Sequence, residues 1–394
     1  MKAALYCPYC YSAVVPKEIK FRCSGHASKA GVGPCQLKPD EVLLARTGDR
    51  TSLGPVFAAD GRNNRAPCPT CKNETTMRVC PDCHHALPVH FGNVNSRLIA
   101  LVGAKETGKT VFMTVLVHEM MNRIGRRFDA AMGGADDKTR ERFTGGYEAR
   151  LYREKRLVDT TRTAGSEGRE PLVFRFVTEE KRKLGKVAPK HTLLSFFDTA
   201  GEDLTSEESV RENVRYLTAA DGIVLLLDPL QMQGARDLAK PGTRMPAAGN
   251  AADDPASVLE RITDLVDTID GGPNKKISKP LAVAFTKLDT LDHDLKEVSP
   301  LRRPAPETPY FDDTDSQEVH AEIQRLLDRW DGSRIDQIAS KRYENYRYFG
   351  LSALGESPSQ DNKIAASGIR PYRVADPFLW ELSGFGAIKL QKGA

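Results

Sequence analysis

Residues 97–110 read RLIALVGAKETGKT, an apolar, strand-like run that passes directly into Gly103-Ala104-Lys105-Glu106-Thr107-Gly108-Lys109-Thr110. The octet fits G-x-x-x-x-G-K-[ST] at every fixed position, and the following VFMTVLVHEMMNRI carries apolar residues three and four apart, as a helix does. A strand that turns through glycines into a helix gathers backbone N–H groups and the positive end of the helix dipole around one small volume, which suits phosphate. In such a loop Lys109 neutralises the outer phosphates and the Thr110 hydroxyl reaches magnesium.

That strand is the first of several. Apolar runs recur at 171–177 (PLVFRFV), 192–198 (TLLSFFD), 222–228 (GIVLLLD), 280–289 (PLAVAFTKLD) and 346–354 (YRYFGLSAL), separated by amphipathic segments such as SVLERITDLVDTI. Alternating strands and helices predict an α/β fold with a mostly parallel sheet and helices on both faces. Three excursions interrupt the alternation, at 129–170, 229–254 and 290–313, and the basic run KRKLGKVAPK at 181–190 reads as a hairpin tip, either a solvated loop or a site for an anionic partner.

Residues 1–92 have a different character, rich in Cys, Pro and Gly with short apolar runs, and a stretch of that kind needs a staple. The expected division is therefore 1–92 and 93–394. All eight cysteines fall within the first 83 residues. A secreted disulfide scaffold would sit oddly beside a phosphate-binding domain, so zinc is the better staple. CPTC (Cys68, Cys71) and CPDC (Cys80, Cys83) are expected to form one four-thiolate site, and CPYC (Cys7, Cys10) with Cys23 and Cys35 the other, His26 competing with Cys35 for the last place. Four thiolates leave no open coordination position, so both sites read as structural. His84 and His85, next to Cys83, read as solvent-facing bystanders.

Bulk properties exclude little but exclude it firmly. Hydrophobic residues at 40% and charged residues at 28% describe an ordinary globular chain, and 57 basic against 53 acidic residues leave a net charge of +4, too small for a nucleic-acid or membrane field. There is no apolar stretch long enough to span a bilayer, and the start MKAALYCPYCYSAVVPK lacks the apolar core of a signal peptide, so a cytoplasmic location is expected.

Later motifs fit the phosphate loop in order. Asp198-Thr199-Ala200-Gly201 ends an apolar run, where Asp198 can reach the magnesium shell and Gly201 can offer its N–H to a γ-phosphate. Thr286-Lys287-Leu288-Asp289 ends another, and the Asp289 carboxylate can accept two hydrogen bonds from the N–H edge of guanine, a pattern adenine lacks. Ser352-Ala353-Leu354 follows the last strand, where a backbone N–H can meet the guanine carbonyl.

With GAKETGKT, DTAG, TKLD and SAL in this order, the chain resembles the Ras-like P-loop GTPases of the TRAFAC class over roughly residues 96–392. The cysteine motifs and the ending RVADPFLWEL are similar to the bacterial double-GTPase type, which is associated with conflict or defence systems. The resemblance implies GTP or GDP, magnesium and two zinc ions as cofactors, and a protein partner, either a second GTPase or a conflict-system effector. It also implies a switch I threonine, for which Thr160, Thr161 and Thr163 qualify and Thr161 is favoured. TKLD opens with Thr where Asn is commoner, and Glu202 stands where the family usually carries a Gln that orients the attacking water. A carboxylate can accept from that water but cannot donate towards the transition state, so hydrolysis is expected to be slow without a partner. Arg156 is either a charge-stabilising arginine in cis or a solvated helix residue. The leading expectation is a GTP switch with slow magnesium-dependent hydrolysis. Its rival is a non-hydrolysing GTP-binding scaffold whose ribbons dock a protein, and a nucleic-acid reader ranks last because the ribbons lack interleaved basic and aromatic residues.

Overall fold

The computed structural model describes residues 5–26, 33–89, 91–92, 95–104, 106–157, 170–181, 187–196, 214–246, 254–270, 275–359 and 361–392. The N-terminal region is small. Strand β1 (Lys20–Arg22) pairs antiparallel with both β2 (Val56–Phe57) and β3 (Arg78–Val79), and helix α1 (Glu41–Thr47) lies between the first two in sequence. Asp40 caps α1, its carboxylate accepting from Val42 N and Leu43 N, and Gly48 ends the helix at φ 73°.

The larger region holds two four-stranded sheets, one mixed and one parallel. Strands β4 (Asn95–Ser96) and β5 (Ile99–Gly103) are followed by α2 (Lys109–Glu119), β6 (Ala131–Gly134), β7 (Leu172–Lys181), β8 (Val187–Phe196), β9 (Gly222–Leu227), β10 (Leu281–Phe285) and β11 (Tyr346–Gly350). Four of these form a parallel layer in the order β11-β10-β9-β5. On the other side of β4, β8 runs parallel to it, while β7 and β6 add antiparallel pairs. β7 and β8 pair antiparallel with Lys181 opposite Val187, so Lys181 and residues 187–190 of the basic run belong to the strands themselves, and residues 182–186, where the expected tip would fall, lie outside the described residues.

Period-2 alternation buries both faces of the parallel layer. Ala100 and Val102 of β5 join Ile223, Leu225, Val283 and Phe285 beneath α4 (Pro255–Asp270), α5 (Asp313–Arg329) and α6 (Ser333–Arg342). Ile99 and Leu101 face the other way, with Val224 and Ala284, against α2 and the C-terminal helix α7 (Asp376–Gly384). The expected architecture, a mostly parallel sheet with helices on both faces, is what the chain forms.

Much of the 129–170 excursion is packed structure. Asp136 caps α3 (Asp137–Glu141), accepting from Thr139 N, and the helix continues in wider turns over Arg142–Arg153, where Phe143 and Leu151 are buried. The chain is then tied to the loop after β11: Leu157 N donates to Asn362 O and Ile364 N donates to Lys155 O, both at 2.9 Å. In the 290–313 excursion Leu291, Leu295 and Leu301 are buried, and Ser299 Oγ donates to Glu322 at 2.9 Å. Among the described residues, no helix is long and apolar enough to cross a membrane.

Candidate nucleotide site and metal centres

The phosphate loop connects β5 to α2. Gly103 is required by close approach, because a Cβ there would stand 2.5 Å from the Leu226 carbonyl of β9. Gly108, at φ 85°, turns the chain into α2 in a conformation L-residues seldom adopt, and Glu106 shares it at φ 62°. Thr107 is fully buried and its hydroxyl donates to Ala104 O at 2.9 Å. The Lys109 ammonium turns back onto the loop, donating to Gly103 O at 2.8 Å and Ala104 O at 2.9 Å, and Thr110 follows it in the first turn of the helix. Lys105, Thr160, Thr161, Thr163, Asp198, Gly201 and Glu202 lie outside the described residues.

The TKLD loop is bound to this cradle from below. Thr286 Oγ1 donates to the Thr107 carbonyl at 3.0 Å and is also 3.2 Å from Leu227 O, so the threonine joins the two loops directly. Lys287 adopts φ 55° and places its ammonium 2.5 Å from Asp228, a fully buried carboxylate at the end of β9 that also accepts from Leu230 N. Removing Lys287 would strand that charge in the interior. Asp289 accepts from Ser352 Oγ at 2.5 Å, and Ser352 Oγ in turn accepts from Gly355 N at 2.8 Å, which brings TKLD and SAL together. Burial, the largest influence, raises the Asp289 carboxyl above its ordinary range against the opposing pull of the Ser352 hydroxyl and the Lys240 cation.

Lys240 carries no motif and is missed by sequence reasoning. It lies in the 229–254 excursion and brackets the TKLD loop: its N–H donates to Thr290 O at 3.0 Å, its ammonium donates to Asp289 O at 2.8 Å and approaches Asp292 at 2.5 Å. Arg156 is exposed and forms a backbone bridge with Lys363. Ala353 and Leu354 are half-buried against the core beneath α7, with Leu354 O accepting from Arg370 N at 2.9 Å.

The eight cysteines form two buried four-sulfur groups, but not the expected ones. Cys7, Cys10, Cys80 and Cys83 make one group and Cys23, Cys35, Cys68 and Cys71 the other, with the ligand atoms of each group within 4.8 Å of one another. CPTC and CPDC therefore serve different sites. The reason is the antiparallel register of β1 and β3, Lys20 opposite Val79. It carries Cys80, which follows β3, back to the start of β1 and the CPYC turn, and leaves Cys68 and Cys71 at the end of β1 beside Cys23. His26 joins neither group. His84 and His85 are not bystanders: His84 Nδ1 is 3.0 Å from Asp40, and His85 stacks on Tyr9 with ring centres 4.5 Å apart.

The groups fit zinc. With zinc–sulfur bonds of about 2.3 Å, tetrahedral sulfurs stand about 3.8 Å apart. The closest pairs are Cys7–Cys83 and Cys10–Cys80 at 3.8 Å, Cys35–Cys68 at 3.7 Å and Cys23–Cys71 at 3.5 Å. All three C-P-x-C turns repeat one design, in which the residue after the second cysteine has positive φ (Tyr11 60°, Lys72 62°, His84 57°). Its N–H donates to the first cysteine's carbonyl at 2.9, 3.0 and 3.1 Å respectively. Burial pushes the Cys7 thiol well up.

A model of the Double-GTPase 2 family matches residues 97–342. Over 410 residues, 97% of this chain and 99% of the other, the sequence is 30% identical to SaeC of Mycolicibacterium smegmatis, which is named as an ESX-1 scaffolding and assembly protein. Among solved structures, the signal recognition particle receptor SRb-GTP/SRX complex of Chaetomium thermophilum matches with a TM-score of 0.30 and 14% identity, covering 67% of this chain and 94% of that one. The S. cerevisiae Ski7 GTPase-like domain bound to GDP and inorganic phosphate matches with a TM-score of 0.33 and 13% identity, covering 76% and 51%.

Proposed function

The chain belongs to the Double-GTPase 2 family, and from that premise we propose that it binds GTP and GDP with magnesium, hydrolyses GTP slowly, and uses the bound nucleotide to govern assembly with protein partners. In this reading residues 93–394 are the GTPase domain and 1–92 a zinc-ribbon region that braces it. The observation that carries it is the hydrogen bond from Thr286 Oγ1 to the Thr107 carbonyl at 3.0 Å, which fixes the base loop against the phosphate loop. Thr here performs the bracing that a longer Asn could also perform, so the departure from the commoner residue costs little.

The proposed roles follow from motif order in the sequence. The amides of Gly103–Thr110 and the Lys109 ammonium hold the β- and γ-phosphates, Thr110 and Asp198 hold magnesium, and Asp289 with the Ser352–Leu354 backbone reads the guanine edge. Magnesium supplies charge neutralisation of the phosphates. Thr161 and Gly201 contact the γ-phosphate, and Glu202 accepts from the attacking water without donating towards the transition state. The relative's name, with scaffolding and assembly in it, supports protein partners over nucleic acid. A second GTPase or a conflict-system effector remains the partner class to test.

The non-hydrolysing scaffold is the second reading, favoured by Glu202 and by that same name. Single-turnover phosphate release separates the two: slow release that Glu202→Gln accelerates about tenfold or more supports intrinsic catalysis limited by the carboxylate. Release that is absent in both proteins, with GTP demonstrably bound, leaves the scaffold.

Lys240 gives a pH-dependent expectation. Asp289 must be ionised to accept from guanine, its carboxyl is raised by burial, and Lys240 and Asp292 are the charged groups facing it with opposite effects. Lys240→Met removes the cation and raises the carboxyl further, so GDP affinity should be lost at a higher pH on acidification than in the wild type. An unchanged midpoint with uniformly weaker binding would mean that Lys240 braces the loop and does not tune Asp289.

A further inference from the structure

β5 and β8 belong to different four-stranded sheets, and side chains lie where a ladder between them would run. Among the described residues, β8 pairs with the β4–β5 stretch at Thr192 opposite Asn95 and Leu193 opposite Ser96. Backbone groups of the even-numbered residues there turn towards β9, as when Leu98 O accepts from Asp221 N at 2.7 Å. Those of the odd-numbered residues turn towards β8, and the Tyr216 hydroxyl takes the place of a neighbouring strand. It accepts from Leu101 N at 2.8 Å and donates to Ile99 O at 3.3 Å.

Tyr216 is itself backed by the first zinc knuckle. Its ring lies 4.9 Å from that of Tyr11, the residue after Cys10, and both rings are buried. Ser195 of β8 spends its single proton on Pro8 O at 2.8 Å, so the Tyr11 hydroxyl, 3.0 Å away, donates to Ser195 Oγ. Tyr9, inside the same turn, donates to Asp136 at 2.6 Å, and Leu193 packs among the cysteines of this site. Of the three C-P-x-C turns, this one reads YCPYCY, whereas CPTCK and CPDCH carry no Tyr, Phe or Trp. The second zinc group has Phe57 as its described apolar neighbour.

We propose that the first metal site is coupled to the nucleotide site through Tyr11 and Tyr216, positioning residues that set the separation of β5 and β8. These are the strands that lead into Gly103 and, two residues past Phe196, into Asp198. The inference rests on the guanine-nucleotide reading above. Linkage makes the coupling reciprocal: metal at the first site tightens nucleotide, and nucleotide tightens the metal. The second site, packed within the ribbon region, is uncoupled and serves as an internal control.

Pulsed alkylation of the full-length zinc-loaded protein, read by mass spectrometry, follows each cysteine separately. With saturating GDP and magnesium, alkylation of Cys7, Cys10, Cys80 and Cys83 should slow at least about fivefold, and that of Cys23, Cys35, Cys68 and Cys71 should stay within about twofold. Tyr11→Phe keeps the ring and deletes the hydrogen bond, and should abolish most of the GDP effect while zinc content is unchanged. Ser195→Ala cuts the same bond from the β8 side and serves if the tyrosine variant folds poorly. GDP binding without selective protection overturns the coupling, as does full protection in both variants. Failure of the wild type to bind GDP in a separate titration is a different result, since it overturns the guanine reading and the inference with it.

Discussion

Cys10→Ser combined with Cys80→Ser should leave one zinc ion per chain, and Cys10→Ser combined with Cys23→Ser should leave none. Cys10 and Cys80 belong to the same four-sulfur group, whereas Cys10 and Cys23 belong to different ones. Grouping the cysteines in sequence order gives the opposite pair of outcomes, so metal analysis of the two double variants decides between the arrangements. The effect on folding should be large, because a structural zinc site contributes on the order of 10 kcal/mol or more of apparent binding free energy to a region with little apolar core. Loss of the first site should also loosen the contacts of Tyr9 and Tyr11 with Asp136 and Ser195, so thermal unfolding of the whole chain should broaden. Loss of the second, by Cys68→Ser, should unfold mainly the ribbon region.

Asp289→Asn should weaken GDP by roughly 10²–10⁴-fold, since two hydrogen bonds to an ionised acceptor are lost and a donor now faces guanine's own donors. Xanthosine diphosphate, which presents a carbonyl where guanine has its amino group, should recover much of the affinity. Stability should move the other way. The folded carboxyl titrates above its unfolded value, so its contribution to stability is present at low pH and is lost as pH rises through the folded value. At neutral pH the buried ionised group is therefore a cost that Asn removes, and the unliganded variant should melt no earlier than the wild type. Lower affinity together with a clearly lower melting temperature at neutral pH would make Asp289 a structural residue. Equal ATP and GDP affinities in the wild type would sink the base-reading role outright.

The phosphate loop, the strand positions and the C-P-x-C turns that build two four-cysteine groups were legible in the chain, because each depends on residues close in sequence. GAKETGKT needs only its own glycines, lysine and threonine to turn a strand into a helix, and buried strands announce themselves as apolar runs. A C-P-x-C turn is likewise a local device, and its positive φ after the second cysteine follows from the turn itself.

Which turn faces which is not local. One antiparallel pairing, Lys20 opposite Val79, assigns Cys80 and Cys83 to the first cysteines rather than to their nearest neighbours in sequence. Lys240 was invisible for the same reason: it belongs to a loop rich in glycine, proline and alanine, and reaches Asp289 across 49 positions. The same holds for Tyr11, which contacts Ser195 across 184 positions. Sequence determined the chemistry that adjacent residues can perform, through turns, caps and alternation. Tertiary structure alone decided the partners, because hydrogen bonds and metal coordination act over a few ångströms in space and are indifferent to distance along the chain.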